Sequence, residues 1–298
     1  MPDPAAGRPA LGYSAGVARA RPGGRGPSPG GPSSGASYSL PRHPTEIDRL
    51  DVQHYVVRET VGTNYLAPLR QPGLVLDVGC GPGQWAYDLC DEFPEAIVAG
   101  LDLVPSKPRR PPNFRLVRGN VLDGLPFVDD RFDFVHQRFL ISGVPVRSFA
   151  TEVRDLARVT RPGGWVQLVE SDSQSWLAPI GPANLRLQEM GSQLVRPLGL
   201  DTTGVVHGSL ERYLEQAGIE GVQRRSFAAA VGAWGGRIGE LVATDFRAVY
   251  LRLGEVFESR LGLSRDESHA LQASAQAEWE ELQTRWSFTL VWGRKPVR

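Results

Sequence analysis

The chain of 298 residues is long enough for one large domain or two small ones, and its 41% of hydrophobic residues suffice for a packed core. Its 33 basic and 33 acidic residues cancel, and an isoelectric point near 7.0 leaves no overall electrostatic footprint for nucleic acid or an anionic membrane. Cys80 and Cys90 make neither a disulfide framework nor a metal-ligand pattern, and no apolar run reaches the length of a membrane span, so the chain reads as a cytoplasmic protein.

Residues 1–40 are rich in Gly, Pro, Ala, Ser and Arg and nearly devoid of large apolar residues, a composition that cannot offset its own ordering entropy. They read as a disordered tail. The Arg content admits a transit peptide, although no amphipathic periodicity supports one. Residues 41–298 read as one folded domain, beginning with a helix from Thr45 to Thr63 that aligns Ile47, Leu50, Val57 and Val61 and ends at Gly62.

The next stretch organises the chain. An apolar run from Leu74 reaches Asp77 and Val78, and Gly79, Gly81 and Gly83 follow at alternate positions before an amphipathic pattern begins. This predicts a buried parallel strand, a tight turn whose glycines let a ligand approach the backbone, and a helix N-terminus offering unpaired N–H groups. No Lys followed by Ser or Thr comes after the glycines, which excludes a Walker-type phosphate loop. Trp85, Ala86, Leu89, Cys90 and Phe93 form the buried stripe of the helix, and Pro94 stops it.

Ala96 to Leu101 is a second predicted strand, with Asp102 at its end about twenty residues past the glycine turn, where open α/β sheets place a ribose-binding carboxylate. A carboxylate can accept from both hydroxyls of a ribose. Lys107, Arg109 and Arg110 belong to a proline-rich loop that either is solvated or binds an acidic group. Phe114 to Arg118 is strand three, Phe132 to Arg138 strand four, and Phe149, Val153, Leu156 and Val159 line a helix. Pro162-Gly163-Gly164 ends that helix through positive-φ positions, and Trp165 to Glu170 is strand five.

Residues 175–208 break the alternation with a helical pattern from Leu185 to Val195. Ser209 starts another helix that Gly218 ends, Val222 to Val231 is a strand, and a long helix carries Ile238, Leu241, Val242, Val249, Leu253, Val256 and Leu261 on one face. Ser264 and Glu267 form a capping box for a last helix to about Arg285, and Ser287 to Gly293 is an alternating strand.

The phrase Val75-Leu76-Asp77-Val78-Gly79-Cys80-Gly81-Pro82-Gly83 resembles the first motif of class I S-adenosylmethionine-dependent methyltransferases. Arg158-Val159-Thr160-Arg161-Pro162-Gly163-Gly164-Trp165 resembles their late motif. Arg49-Leu50-Asp51-Val52-Gln53-His54 with Asn64-Tyr65-Leu66-Ala67-Pro68 resembles the lead-in segment of a group containing fungal secondary-metabolism regulators and bacterial homologues. The resemblance implies an α/β, Rossmann-like fold: a seven-stranded, mostly parallel sheet with its last strand reversed, helices on both faces, and helical cap elements at about 45–66, 175–208 and 236–285.

By the same resemblance the cofactor is S-adenosyl-L-methionine. Its expected contacts are Tyr55, Asp77, Gly79, Cys80, Gly81, Gly83, Trp85, Asp102, Leu103, Asn120, Val121 and Gln137. Asp77 would orient the amino group and Asp102 the ribose. Asn120 stands where relatives often carry an acid for the adenine amine, with Asp123 as the fallback. His136, Glu170 and His207 are the candidate catalytic residues, though each reads equally as a packed or solvated side chain. Arg58 is a further candidate contact, and Trp176, Met190 and His207 are candidates for an acceptor pocket.

The expected reaction is in-line methyl transfer to a small-molecule acceptor, a natural product or secondary metabolite. No nucleic-acid or membrane partner is expected, no metal is required, and a homodimer is compatible. The alternatives are protein methylation in a regulatory complex, a non-catalytic cofactor-binding scaffold, and a nicotinamide-dependent oxidoreductase whose glycine spacing this loop lacks.

Overall fold

The computed structural model describes residues 44–103 and 111–297, so the 1–40 tail and Lys107, Arg109 and Arg110 lie outside the described residues. In chain order the elements are α1 (Pro44–Val61), β1 (Leu74–Val78), α2 (Gln84–Glu92), β2 (Ile97–Asp102), β3 (Phe114–Arg118), β4 (Phe132–Arg138) and α3 (Val146–Val159). Then follow β5 (Thr160–Glu170), β6 (Leu177–Ala178), α4 (Pro182–Val195), α5 (Leu210–Gln216), β7 (Glu220–Ala230), α6 (Gly236–Leu261), α7 (Arg265–Glu281) and β8 (Arg285–Arg294).

The strands form one sheet. β1 pairs in parallel with β2 and β4, β2 with β3, and β4 with β5, while β8 runs antiparallel to both β5 and β7. Among the described residues seven long strands therefore follow the order 3-2-1-4-5-8-7 with only β8 reversed, and the two-residue β6 pairs with the start of β8. The chain leaves β1 toward β2 and β3 and returns to β4 on the other side of β1. That reversal makes the crevice beyond the carboxyl ends of β1 and β4 a natural ligand site.

Strand alternation divides the core. Val75 and Phe134 join Trp85, Leu89, Met190, Phe246, Phe257, Trp279 and Phe288 on the face covered by α1, α2, α4, α6 and α7. Leu76, Val78, Val135 and Leu168 face the other way, onto Phe149, Val153 and Leu156 of α3 and Leu210 and Leu214 of α5. Both faces of the central strands are buried, which explains their near-continuous apolar runs. The lead-in helix is fixed to the long late helix by an ion pair of Arg49 Nη1 with Asp245 Oδ1 at 2.8 Å, both side chains being buried.

Two local expectations change. β5 starts at Thr160 rather than Trp165, because Pro162-Gly163-Gly164 is an irregularity inside the strand: the pairing with β4 jumps from Phe132↔Thr160 to Phe134↔Trp165. Gly163 has φ 75°, as expected, whereas Gly164 is required by close approach, since a Cβ there would stand 2.9 Å from Arg161 O and 3.0 Å from Asp133 O. Ser209 precedes α5 without capping it, and its hydroxyl instead accepts a hydrogen bond from Arg212 Nη2. The Ser264–Glu267 capping box forms as expected.

Candidate active site

The glycine loop is pinned to the end of β2 by three hydrogen bonds. Gly79 N and Cys80 N donate to Leu101 O at 2.8 and 3.1 Å, and Gly81 N donates to Asp102 Oδ2 at 2.9 Å. Gly79, Gly81 and Gly83 have φ values of 70°, 53° and 90°, in the left-handed region that side chains disfavour. Gly79 is doubly constrained, because a Cβ there would lie 2.2 Å from Leu140 Cδ1. Gly81 is open by comparison, with only Leu50 Cδ1 near its would-be Cβ, at 3.7 Å. α2 begins without a side-chain cap, so its first N–H groups remain available to a ligand.

Behind the loop, Asp77, His136 and Gln167 stand in register across β1, β4 and β5. His136 Nδ1 donates to Asp77 Oδ1 at 3.1 Å, and the imidazole stacks on the Trp85 indole with ring centroids 3.8 Å apart. Trp85 Nε1 donates to Asn64 O, and Gln167 Oε1 accepts from Leu66 N, so the residues after α1 are clamped over this row. His136 is 1% exposed, and burial lowers its pKa in spite of the Asp77 carboxylate. Trp85 and His136 are thus enclosed packing partners and not exposed contacts.

Two residues further along β4, on the same face, Arg138 Nη1 donates to His54 Nδ1 at 3.2 Å. His54 Nε2 must then carry the proton it gives to Asp88 Oδ2 at 3.0 Å, an assignment made from the donor and acceptor pattern. Arg58 Nη1 also donates to Asp88 Oδ2, at 2.8 Å. Burial opposes ionisation of Asp88, but the bonds from His54 and Arg58 prevail and hold its carboxyl down at about 2. Burial lowers the pKa of His54, and it lowers that of Arg138 to about 10. Arg138 makes no ion pair with a carboxylate among the described residues; Asp77 and Asp88 act on it only at longer range.

The opposite face holds an acidic cluster. Glu170 is 0% exposed and accepts from Leu140 N at 2.9 Å and Ile141 N at 3.2 Å, fixing the turn that presses Leu140 onto Gly79. Burial pushes its carboxyl up to about 8. The buried side chains of Glu152 and Gln137 make no hydrogen bond in the described residues. Burial, then the neighbouring Glu170 carboxylate, holds Glu152 well above the usual carboxylate range. Gln137, expected among the cofactor contacts, is enclosed here because adjacent strand residues point to opposite faces. Glu170, expected as a base, is a buried support for the turn.

At the same edge of the sheet, on the α6 face, aromatic rings gather where β4 ends and β8 begins. Phe139, held at φ 54°, lies 5.5 Å from Trp286, which lies 5.7 Å from Phe246 and 5.0 Å from Phe288. Trp176 completes the group, 5.1 Å from Phe246. Met190 is buried in the core on this face, whereas His207 Nε2 meets Thr289 Oγ1 at 3.0 Å beside Asp172 and Arg224. His207 is half-buried next to Val206 of the α3 and α5 core, whereas Trp176 and Met190 belong to the core on the other face.

The other expected contacts follow the carboxyl ends of β2 and β3 or lie on α1. Leu103 O accepts from Arg118 Nε, and Asn120 Oδ1 accepts from Leu122 N, capping the turn Val121–Asp123. Tyr55 is half-buried with the Arg237 guanidinium 5.9 Å from its ring centre. Spacing in the sequence gave no signal for the His54–Asp88–Arg138 chain, whose members lie 34 and 84 residues from His54, nor for the pairing of Phe139 with Trp286. Among the described residues no helix is long and apolar enough to cross a membrane, and no group of His, Cys, Asp and Glu could hold a metal ion.

Residues 75–164 match the protein family described as Methyltransferase domain. The N-methyltransferase verN of Clonostachys rogersoniana is 25% identical over 274 residues, covering 87% of this chain and 93% of its own length. The secondary metabolism regulator laeA of Aspergillus fumisynnematus is 30% identical over 204 residues, with 66% of this chain and 54% of the regulator covered. The solved phosphoethanolamine N-methyltransferase 2 of Haemonchus contortus, in complex with S-adenosyl-L-methionine, superposes with a TM-score of 0.50 at 14% identity. That alignment takes in 84% of this chain, which spans about half, 52%, of the length of the solved chain. A methyltransferase domain lies over the glycine loop, β1 to β4 and the start of β5, the sheet matches that of the solved enzyme, and relatives named as methyltransferases cover most of the chain, which is an S-adenosylmethionine-dependent methyltransferase.

Proposed function

We propose that the chain methylates a small, apolar acceptor of the secondary-metabolite kind, at a nitrogen. The observation that carries the acceptor class is the aromatic group of Phe139, Trp176, Phe246, Trp286 and Phe288 at the edge of the sheet that also bears the glycine loop. The relative named as an N-methyltransferase supports nitrogen as the accepting atom. We assign the catalytic unit to residues 41–298, with cap elements at 45–66, 175–208 and 236–285, in a cytoplasmic setting.

The residues present fit S-adenosylmethionine. An uncapped helix start, an open backbone at Gly81 and an acid hydrogen-bonded to that same glycine are what a nucleoside carrying a zwitterionic tail requires. In this reading Asp102 holds the ribose and Asn120 accepts from the adenine amine, with Leu103 and Val121 beside the base. Gly79, Cys80, Gly81 and Gly83 form the cradle, and Asp77 takes the amino group. The cofactor supplies a methyl group already activated on a sulfonium. The protein's part is to align the acceptor lone pair behind that methyl and to exclude water. A neutral amine attacks with its own lone pair as the S–CH3 bond breaks, S-adenosylhomocysteine leaves as a thioether and the product ammonium loses its proton to water. The step therefore asks no base of the enclosed His136 and Glu170 or of His207, which is engaged by Thr289.

The test is calorimetric titration of S-adenosylmethionine and S-adenosylhomocysteine into the native chain and Asp102→Ala, followed by an acceptor screen of apolar amines. Micromolar binding, weakened at least tenfold in the variant, is expected, with methylated amine as product. Absence of binding by the folded native chain would refute the cofactor site. A second reading, action on a protein in a regulatory complex, has its support in the likeness to a secondary metabolism regulator. It gains if binding is intact and only protein acceptors are labelled.

A further inference from the structure

Arg138 stands out among the charged groups of this edge. It is the last residue of β4, beside the strand that feeds the glycine loop, and it faces the same side of the sheet as Asp77 and His136. One nitrogen is committed to His54 Nδ1, and the guanidinium makes no further hydrogen bond and no ion pair in the described residues. Asp88, the carboxylate beyond His54, already accepts from His54, Arg58, Asn64 and Gln84. Arg138 is half-buried, and a guanidinium partly withdrawn from water without a bonded carboxylate gains from a ligand that supplies one.

Asp77 provides the complementary charge. It lies on β1 in register with His136, and Arg138 lies two residues beyond His136 on the neighbouring strand, so an acid and a guanidinium flank the same pleat next to Gly79. His136 engages Asp77 Oδ1, and Asp77 Oδ2 makes no hydrogen bond in the described residues. An α-amino acid carries its ammonium and carboxylate on one carbon, so a single such group reaches both partners at once.

We infer that Arg138 binds the carboxylate of the cofactor's amino-acid end, with His54 as the positioning residue that fixes the guanidinium plane. This rests on the cofactor reading above. A planar fork with one corner held by His54 keeps its other N–H groups for a carboxylate, a geometry that a lysine ammonium does not reproduce. His54 is in turn oriented by Asp88, which links the lead-in helix α1 and helix α2 to recognition of the amino-acid end.

The experiment compares S-adenosylhomocysteine with 5′-methylthioadenosine, which keeps the nucleoside thioether and lacks the amino-acid end. Both are titrated calorimetrically into the native chain, Arg138→Met and Arg138→Lys, with thermal denaturation to verify folding. The native chain binds both. Arg138→Met is expected to weaken S-adenosylhomocysteine at least thirtyfold, about 2 kcal/mol, while methylthioadenosine changes less than twofold. Arg138→Lys is expected to fall between, and it decides the matter if the methionine variant does not fold. Equal weakening of both ligands, or no change for either, overturns the inference and leaves the cofactor site standing. Binding of neither ligand by the native chain overturns the cofactor reading itself and this inference with it.

Discussion

Replacing Glu170 by glutamine should remove a pH dependence of stability that the native chain carries between about pH 6.5 and 8. Burial pushes the Glu170 carboxyl up to about 8 against an unfolded value of 4.5, even though Ile141 N and Leu140 N donate to it. Between those values the folded protein keeps a proton that the unfolded chain has released. Stability therefore falls as pH rises, and the contribution is lost once pH passes about 8. Burial lowers the pKa values of His54, His136 and His207, so they act in the opposite sense, but only below about 6.5. Above that value they are neutral in both states and add no slope. From 6.5 to about 8 at about 1.4 kcal/mol per pH unit, the loss is about 2 kcal/mol. Burial and the Glu170 carboxylate also hold Glu152 well above the usual carboxylate range, which adds a slope of the same sign in both proteins. Urea denaturation at pH 6.5 and 8.5 reads the difference. The native chain should lose about 2 kcal/mol more than Glu170→Gln, because the amide oxygen still accepts from Leu140 N but cannot ionise. An equal loss in both proteins would refute the reasoning.

Gly79→Ala adds a methyl group where φ is 70° and Leu140 Cδ1 lies 2.2 Å from the new atom, so S-adenosylhomocysteine affinity should drop at least tenfold in calorimetry while the fold, monitored by circular dichroism, persists. Asp245→Ala leaves Arg49 as a buried cation without that partner and should cost about 3–5 kcal/mol in urea denaturation. An effect below about 1 kcal/mol would mean that the α1–α6 ion pair does not fix the lead-in helix.

The placement of functional groups follows from strand geometry more than from motif. His136 and Gln137 are neighbours in the chain, yet one stacks on Trp85 under α1 and the other is shut against Glu152 under α3. The same alternation takes Thr289, and with it His207, away from the rings of Phe288 and Trp286. A side chain's face is set by its parity in a strand and by which helix covers that face, and neither is contained in a short window of sequence.

Local patterns in the chain were enough for the strand-turn-helix around Gly79, the three flanking strands, the capping box at Ser264 and the acid at the end of β2. These rest on local rules: positive φ at glycine, period-two and period-3.6 burial, and side-chain caps. It took the folded sheet to show that Asp102 holds Gly81, that His54 on α1 meets Arg138 on β4, 84 residues away, and that Phe139 joins Trp286. The same sheet also turned three candidate catalytic residues into a stacked imidazole, a buried turn support and a partner of Thr289. Those contacts depend on the register and crossover of the sheet, which bring distant segments to one edge and give each side chain its face.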